Sequence, residues 1–432
     1  MKSIGILGGG VAGLALSYFL GADTEILEKE SKCGGLCRSF EKDGFTFDLG
    51  GHIMFSKDTE ILDLEKQLLK DNLNEHYRRN SIWFKGRFVK YPFENGLSAL
   101  DKEDIFECLY HFIDNPQRPQ NTLEDWIYNT FGKGLAEKYL VPYNDKIWKT
   151  PANEMSTDWV ERIPKPPVAD VIKSAIGIET EGYTHQLYFY YPKKGGFEAL
   201  PQAIEAHVQQ RIVRNFSVKT VRKTGRGWAV SNAEEEREYS RIICAMPIFD
   251  FIDAVADVPR EVIKAVHDLK YNSLIVVMVG LNRERNAEQL AAYFPQSDVI
   301  FHRLVFFDYF GKNYAPDGCS SMVAEITEKE SSTTWAMTDA EIGARVVDDL
   351  FREGFLKKNE VISIDVKRTK YAYAIYDLHR QKNLDTIYAW CKQQGIELCG
   401  RFAEFVYYNS DGVIRSAKDI ADRLKNEATL HV

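Results

Sequence analysis

The stretch "SIGILGGGVAGLALSYFL" at the amino end constrains the fold more than any other segment. Ile4, Ile6 and Leu7 make a short apolar strand, and Gly8, Gly10 and Gly13 follow in the G-x-G-x-x-G spacing of a dinucleotide-binding turn. Gly8 permits the tight turn, Gly10 lets backbone approach a pyrophosphate, and Gly13 lets the next helix, carrying Leu14, Leu16, Phe19 and Leu20, lie close on the strand. Phosphates then sit at the helix N-terminus, beside Val11 and Ala12, where free N–H groups and the positive end of the dipole favour an anion. A second strand, "TEILEKE", carries Glu28 twenty residues after Gly8, the separation at which a carboxylate accepts hydrogen bonds from an adenosine ribose. The spacing predicts an α/β, Rossmann-like domain that binds a dinucleotide.

Two more glycine pairs follow, Gly34–Gly35 in "KCGGLC" and Gly50–Gly51 in "DLGGHIMF". A nicotinamide-binding domain needs one glycine turn. The extra pairs demand a larger ligand lying along several loops, because backbone reaches a flat ring or a second phosphate face only where no Cβ intervenes. Each pair alone would be an ordinary turn; the three in series favour FAD over NAD.

At 432 residues the chain exceeds one ordinary core, so two or three domains are expected. Hydrophobic residues at 44% and charged residues at 27%, without low-complexity tracts, exclude a disordered chain. A net charge of −8 argues against general nucleic-acid binding, so an anionic substrate must be held by a few local arginines. Glycines interrupt the apolar run after Lys2 too early for a signal peptide, and no segment reaches membrane-spanning length. Seven cysteines, an odd number in a large chain, suit reduced thiols in the cytoplasm. Cys33 and Cys37 match neither a C-x-x-C pair nor a zinc knuckle and read as apolar fillers, and the nine histidines show no ligand spacing, so no metal is expected.

Residues from about 98 to 180 read as helices: Ile105, Leu109 and Phe112 share a face, and Thr122 with Asp125 forms a capping box before Trp126, Ile127, Phe131, Leu135 and Tyr139. "NSIWFKGRFVKYPF" reads as a hairpin turning at Lys85 and Gly86, and "SLIVVMVGL", "VIFHRLVFF" and "SMVAEI" as strands of one sheet. Short strands from 212 to 247 suit completion of the first domain, and "DGVIRSAKDIADRL" is an amphipathic helix with Ile414, Ala417, Ile420, Ala421 and Leu424 on one face. The expected arrangement is a discontinuous FAD-binding domain (1–76, 193–268, 395–432), a helical insertion (98–180) and an antiparallel β-sheet insertion (77–97, 181–192, 269–394).

The blocks "GGGVAGL", "GGHIMFS", "YPFEN", "YNDKIWKTP", "WVERIP", "YPKKGGFEALPQAI", "IICAMP" and "GRFAEFVYYNSDG" together resemble the UDP-galactopyranose mutase family, closest to its eukaryotic-type branch, within the amine oxidase and protoporphyrinogen oxidase type of flavoprotein. The similarity spans nearly the whole chain. In that family reduced FAD attacks the anomeric carbon of a nucleotide sugar and expels the diphosphate. The ring opens, closes through another hydroxyl and is recaptured, with no net redox change. The resemblance therefore implies a pyranose–furanose mutase acting on a nucleotide sugar in polysaccharide biosynthesis, primed by NAD(P)H or a reductase.

By position, the resemblance makes Arg162 and Arg303 the guanidinium pair that grips the diphosphate, a task suited to arginine's planar fork. It places His52 beside the reacting edge of the flavin and Tyr373 and Tyr407 near the diphosphate and sugar. Cofactor contacts are implied at Gly35, Leu36, Gly50, Gly51, Arg79, Val218, Arg401, Asp411 and Gly412. The chain departs from the family at Glu94, where "YPFQN" has glutamine, at Gln186 in place of an asparagine, and at Phe310 in place of a tyrosine, a loss of one hydrogen bond worth about 1 kcal/mol. Galactose does not follow from a site so altered. Two other readings remain open: a flavin oxidoreductase that passes electrons to oxygen or another acceptor, and a flavin-binding scaffold with a decayed site.

Overall fold

The computed structural model describes residues 3–160, 166–182 and 187–430. Five parallel strands form one sheet in the order Glu397–Leu398, Arg241–Cys244, Ile4–Leu7, Thr24–Leu27, Ile212–Val213. Ile4–Leu7 lies at its centre, bonded to both neighbours, and its Ile6 and Leu7 are fully buried. The helix Val11–Leu20 covers one face together with the carboxy-terminal helix Ser410–Leu430, whose Val413, Ile414, Ala417, Ala421 and Leu424 are buried. Each of the larger of these aliphatic side chains stabilises the contact by about 1.5–3 kcal/mol on leaving water.

A second, seven-stranded sheet runs Val361–Ala374, Tyr271–Leu281, Ser320–Glu328, Arg303–Phe306, Ala291–Tyr293, Asn80–Phe84, Arg87–Lys90. Its last two strands are the expected hairpin, turning at Lys85 and Gly86, both at positive φ. The helical segment comprises Lys102–Ile113, Leu123–Leu135, a π turn, Val141–Trp148 and Val168–Ala175, and the Thr122–Asp125 capping box is present.

Three local arrangements add detail to these expectations. Only Ile212–Val213 and Arg241–Cys244 from the 212–247 stretch enter the parallel sheet; Thr220–Thr224, Gly227–Ser231 and Glu236–Tyr239 make a separate antiparallel sheet. "VIFHRLVFF" is extended only over Arg303–Phe306, because Phe307–Phe310 turns as a 3-10 helix. Asn74–Tyr77 and Tyr188–Tyr191 pair with each other in a ribbon of their own.

Glu65, in the helix Thr59–Leu69, is fully buried against the start of the carboxy-terminal helix. Its Oε1 accepts from the Ser410 hydroxyl at 3.0 Å, and its Oε2 has no partner among the described residues. Burial pushes this carboxyl up to about 8, outweighing the Ser410 bond. The native state therefore keeps a proton that the unfolded chain releases near its ordinary value, and stability falls as pH rises from about 4 towards 8. Glu65→Gln is expected to gain melting temperature relative to the parent as pH is raised from about 6 to about 9; scanning calorimetry across that range checks it, and a constant difference would refute it.

Candidate active site

All five parallel strands send their carboxyl ends to one edge, and the loops leaving them, 8–12, 28–30, 216–219, 245–247 and 400–402, line a cavity of about 1550 Å³. This is where an open α/β sheet binds its ligand. The seven-stranded sheet supplies a second wall with Leu274, Tyr293, Arg303, Val305 and Tyr373, and the helical segment adds Phe131, Tyr139, Leu140 and Tyr143.

At the glycine loops, the Gly9 N–H donates to Glu28 Oε2 at 2.7 Å and the Glu30 N–H to Oε1 at 2.9 Å, so backbone fixes that carboxylate at the rim. The helix Val11–Leu20 starts at Gly10 with no capping side chain. A Cβ on Gly10 would meet nothing within 4 Å, whereas one on Gly13 would stand 1.9 Å from the Gly8 carbonyl oxygen. Gly10 thus faces open space and Gly13 the strand–helix contact. The Gly34 N–H donates to the Gly9 carbonyl at 2.9 Å, and a Cβ on Gly35 would lie 3.3 Å from Gly10 Cα. The second glycine pair lets one loop rest on another, and Gly35 and Leu36 line the cavity beside it.

The third pair meets the facing sheet. Arg303 and Glu325 are cross-strand partners. Arg303 Nε and Nη2 donate to the two Glu325 oxygens at 2.9 and 2.6 Å, and Glu325 Oε1 also accepts the Gly51 N–H at 2.8 Å. One carboxylate therefore sets both the guanidinium and the loop that carries His52. Burial alone would pull the Arg303 pKa down, but Glu325 outweighs it and holds the charge firmly. A bidentate pair of this kind leaves Nη1 outside the clasp.

Arg401 differs. Its Nη1 reaches the Tyr408 carbonyl at 3.4 Å, while its buried Nε and Nη2 have no hydrogen-bond partner among the described residues. The guanidinium lies 4.3 Å from the Tyr407 ring centre and 5.2 Å from that of Tyr373, two nearly parallel rings 6.0 Å apart. Buried guanidinium nitrogens left unbonded are costly unless an acceptor arrives. This cluster, the uncapped helix and the open face of Gly10 fit the phosphates and ring system of FAD.

His52 stacks on Phe197 with ring centres 5.1 Å apart, its Nε2 set 3.3 Å from the Leu49 carbonyl. Burial, then the charges of Arg303 and Arg401, lower its pKa to about 4. Its ring is neutral from about pH 5 upward. The pH–rate profile is expected to show no limb from His52 between about pH 5 and 8, and a histidine NMR titration would expose a protonation near the ordinary value.

Of the other expected residues, Gly8, Gly10, Val11, Ala12, Glu28, Gly50, Gly51, Glu94, Val218, Phe310, Tyr373, Tyr407 and Asp411 line the cavity. Gly13 and Gly412 sit behind it, Gly412 against Tyr408. Arg79 is a correction: its exposed guanidinium lies over Tyr77, and Arg78 reaches the cavity wall in its place. Successive side chains on an extended segment point to opposite faces, so a one-residue error moves the group across the sheet. Phe310 packs face to face on Tyr191 at 3.8 Å, filling an aromatic core where a hydroxyl was expected. Arg162 and Gln186 lie outside the described residues. Cys33 and Cys37 are free, and burial raises both thiols to about 12, as befits fillers. Among the described residues no group of three or more metal-ligating side chains occurs, and no helix is long and apolar enough to cross a membrane.

Sequence reasoning missed Glu325, Tyr143, Tyr293 and Arg78. A signal existed for the first: a glutamate inside "SMVAEIT", a strand buried along its whole length, needs a cation or a donor beside it.

The NAD(P)-binding Rossmann-like domain model matches residues 6–68, and the model of flavin-containing amine oxidoreductases matches residues 172–421. A solved structure of reduced UDP-galactopyranose mutase superposes with a TM-score of 0.90 at 23% identity, covering 99% of this chain and 96% of that one. Putrescine oxidase bound to putrescine superposes with a TM-score of 0.70 at 16% identity, covering 98% and 99%. Coproporphyrinogen III oxidase of Staphylococcus aureus is 30% identical over 98 residues, which is 21% of this chain and 21% of that protein, so the matched part spans about a fifth of the relative.

Proposed function

The chain belongs to the family of flavin-containing amine oxidoreductases and takes FAD as its cofactor, and from that premise we propose that it is a nucleotide-sugar mutase, working with reduced FAD to interconvert pyranose and furanose forms. The observation that carries this reading is the pair of guanidinium groups at the cavity centre. Arg303 is held charged by Glu325, and Arg401, set towards the flavin, adds a second positive charge to the same cavity. Such a centre attracts an anion and stabilises a departing diphosphate.

The same geometry disfavours an amine substrate. Parallel rings such as Tyr373 and Tyr407 can hold a cation, but Arg401 already lies on both of them. An ammonium group there would face two fixed positive charges, and Glu325 is already engaged. The likeness to putrescine oxidase is therefore one of fold.

Bound here, reduced FAD would supply an electron pair to the anomeric carbon as the diphosphate leaves and would regain it when the diphosphate rebonds, so no net redox change results. The protein's work is positioning. Arg303, Tyr373 and Tyr407 hold the diphosphate and keep it close for recapture, while Arg401 serves the flavin. Neutral His52, on the loop set by Glu325, packs beside the ring without adding a competing charge. The family resemblance assigns a second grip on the diphosphate to Arg162, which lies outside the described residues.

Anaerobic incubation with UDP-galactopyranose and UDP-galactofuranose, and then with a panel of other nucleotide sugars, tests the reading by ion-exchange separation of the products. Interconversion only after dithionite reduction is expected. Hydrogen peroxide release with an amine substrate, and no isomerisation of any sugar, would replace the mutase with an oxidase.

A further inference from the structure

Around Arg303 the cavity is lined by tyrosines, and Glu94 lines the same cavity. Tyr293 is the cross-strand partner of Arg303. The Tyr91 and Tyr143 rings lie 5.0 and 5.4 Å from that of Tyr293, and Tyr139 lies 5.3 Å from Tyr143. Glu94, three residues after Tyr91, is 3% exposed and lines the same cavity. Among the described residues no cation and no other side chain pairs with its carboxyl, and the nearby Lys90 is taken by the Thr180 carbonyl at 2.7 Å and Glu181 at 2.6 Å.

With the diphosphate at Arg303 and the sugar towards His52, the base of a nucleotide sugar occupies the tyrosine-lined part of the cavity next to Arg303. Resting on that reading, we infer that Glu94 selects the base, and that the preferred nucleotide carries guanine in place of uracil.

Donors and acceptors decide the base. An ionised carboxylate is an acceptor only, with two oxygens side by side. Guanine presents a ring N–H and an amino group next to each other and pairs with both oxygens at once. Uracil presents one N–H between two carbonyls, so one carboxylate oxygen would face a carbonyl. Adenine and cytosine set an amino group beside a ring acceptor, with the same conflict. A glutamine, one donor and one acceptor, suits uracil, and glutamine stands at this place in the family that the sequence resembles. Burial pushes the Glu94 carboxyl up to about 7, so it is mostly ionised at slightly alkaline pH. A site built for a donor pair discriminates strongly, because a base lacking it leaves a buried charge unpaired.

Calorimetric titration of the flavin-loaded protein with GDP and with UDP, at about pH 8.5, tests the inference without turnover. GDP is expected to bind at least about tenfold more tightly than UDP, and Glu94→Gln to lose that preference. Tighter binding of UDP, ADP or CDP by the unaltered protein would overturn the guanine assignment and leave the mutase reading standing. Failure of every nucleoside diphosphate to bind would overturn both. A flavin-replete Glu94→Gln that keeps the full GDP preference would remove the role from Glu94. Should that variant not fold, the comparison on the unaltered protein still decides.

Discussion

Replacing Arg303 with alanine is expected to lower kcat/KM for the nucleotide sugar by about a thousandfold, with flavin content preserved. Two losses combine. The diphosphate loses a fixed positive charge where charge develops, and Glu325, fully buried, loses its counter-ion. Losing one fixed positive donor to developing charge costs about 10²–10³ in rate, whereas removing one member of a buried pair costs about 3–5 kcal/mol of folding stability. The double variant Arg303→Ala with Glu325→Ala separates the two effects. It is expected to recover melting temperature while activity stays low, because the unpaired acid is gone but the anion grip is not restored. Arg303→Lys keeps the charge and loses the fork, and is expected to fall between. Steady-state kinetics under anaerobic reduction, alongside thermal melts, give both readings. Activity of Arg303→Ala within about threefold of the parent would show that the diphosphate is held elsewhere.

The second large effect separates two glycines three residues apart. Gly13→Ala is expected to give little folded protein, since its Cβ would stand 1.9 Å from the Gly8 carbonyl oxygen, a backbone atom that cannot swing aside. Gly10→Ala is expected to fold with unchanged circular dichroism, as its Cβ meets nothing within 4 Å and its φ of −71° suits alanine. It is nevertheless expected to lose most of its bound FAD, because the new methyl group occupies the space that the pyrophosphate must enter. The absorbance ratio of flavin to protein after purification measures occupancy. A fully yellow Gly10→Ala protein would move the pyrophosphate away from this turn.

The legible parts of the site were local. The spacing of Gly8, Gly10, Gly13 and Glu28 acts within one strand–turn–helix–strand unit, and the Thr122–Asp125 cap and the Lys85–Gly86 turn are set by neighbouring residues. His52 and Arg303 were singled out through whole motifs, and both line the cavity. Arg79 was misplaced because a family match fixes a motif and not which of two adjacent side chains faces inward. Phe310 was read as a weakened ligand because its stacking on Tyr191 joins segments far apart in the chain.

From its sequence alone this chain determines that a nucleotide lies across a Rossmann-like turn and that further glycine loops extend the cradle, because those constraints are steric and act over a few residues. The tertiary structure alone decides the site's electrostatics. Arg303 faces Glu325 only through the pairing of two strands, Glu325 reaches the Gly51 loop only because that loop lies across the sheet, and Arg401 lies on Tyr373 and Tyr407 only once the last parallel strand is in place. Charge–charge energies depend steeply on burial and on separations of a few ångströms, and those distances are set by contacts between residues hundreds of positions apart, such as Gly51 and Glu325.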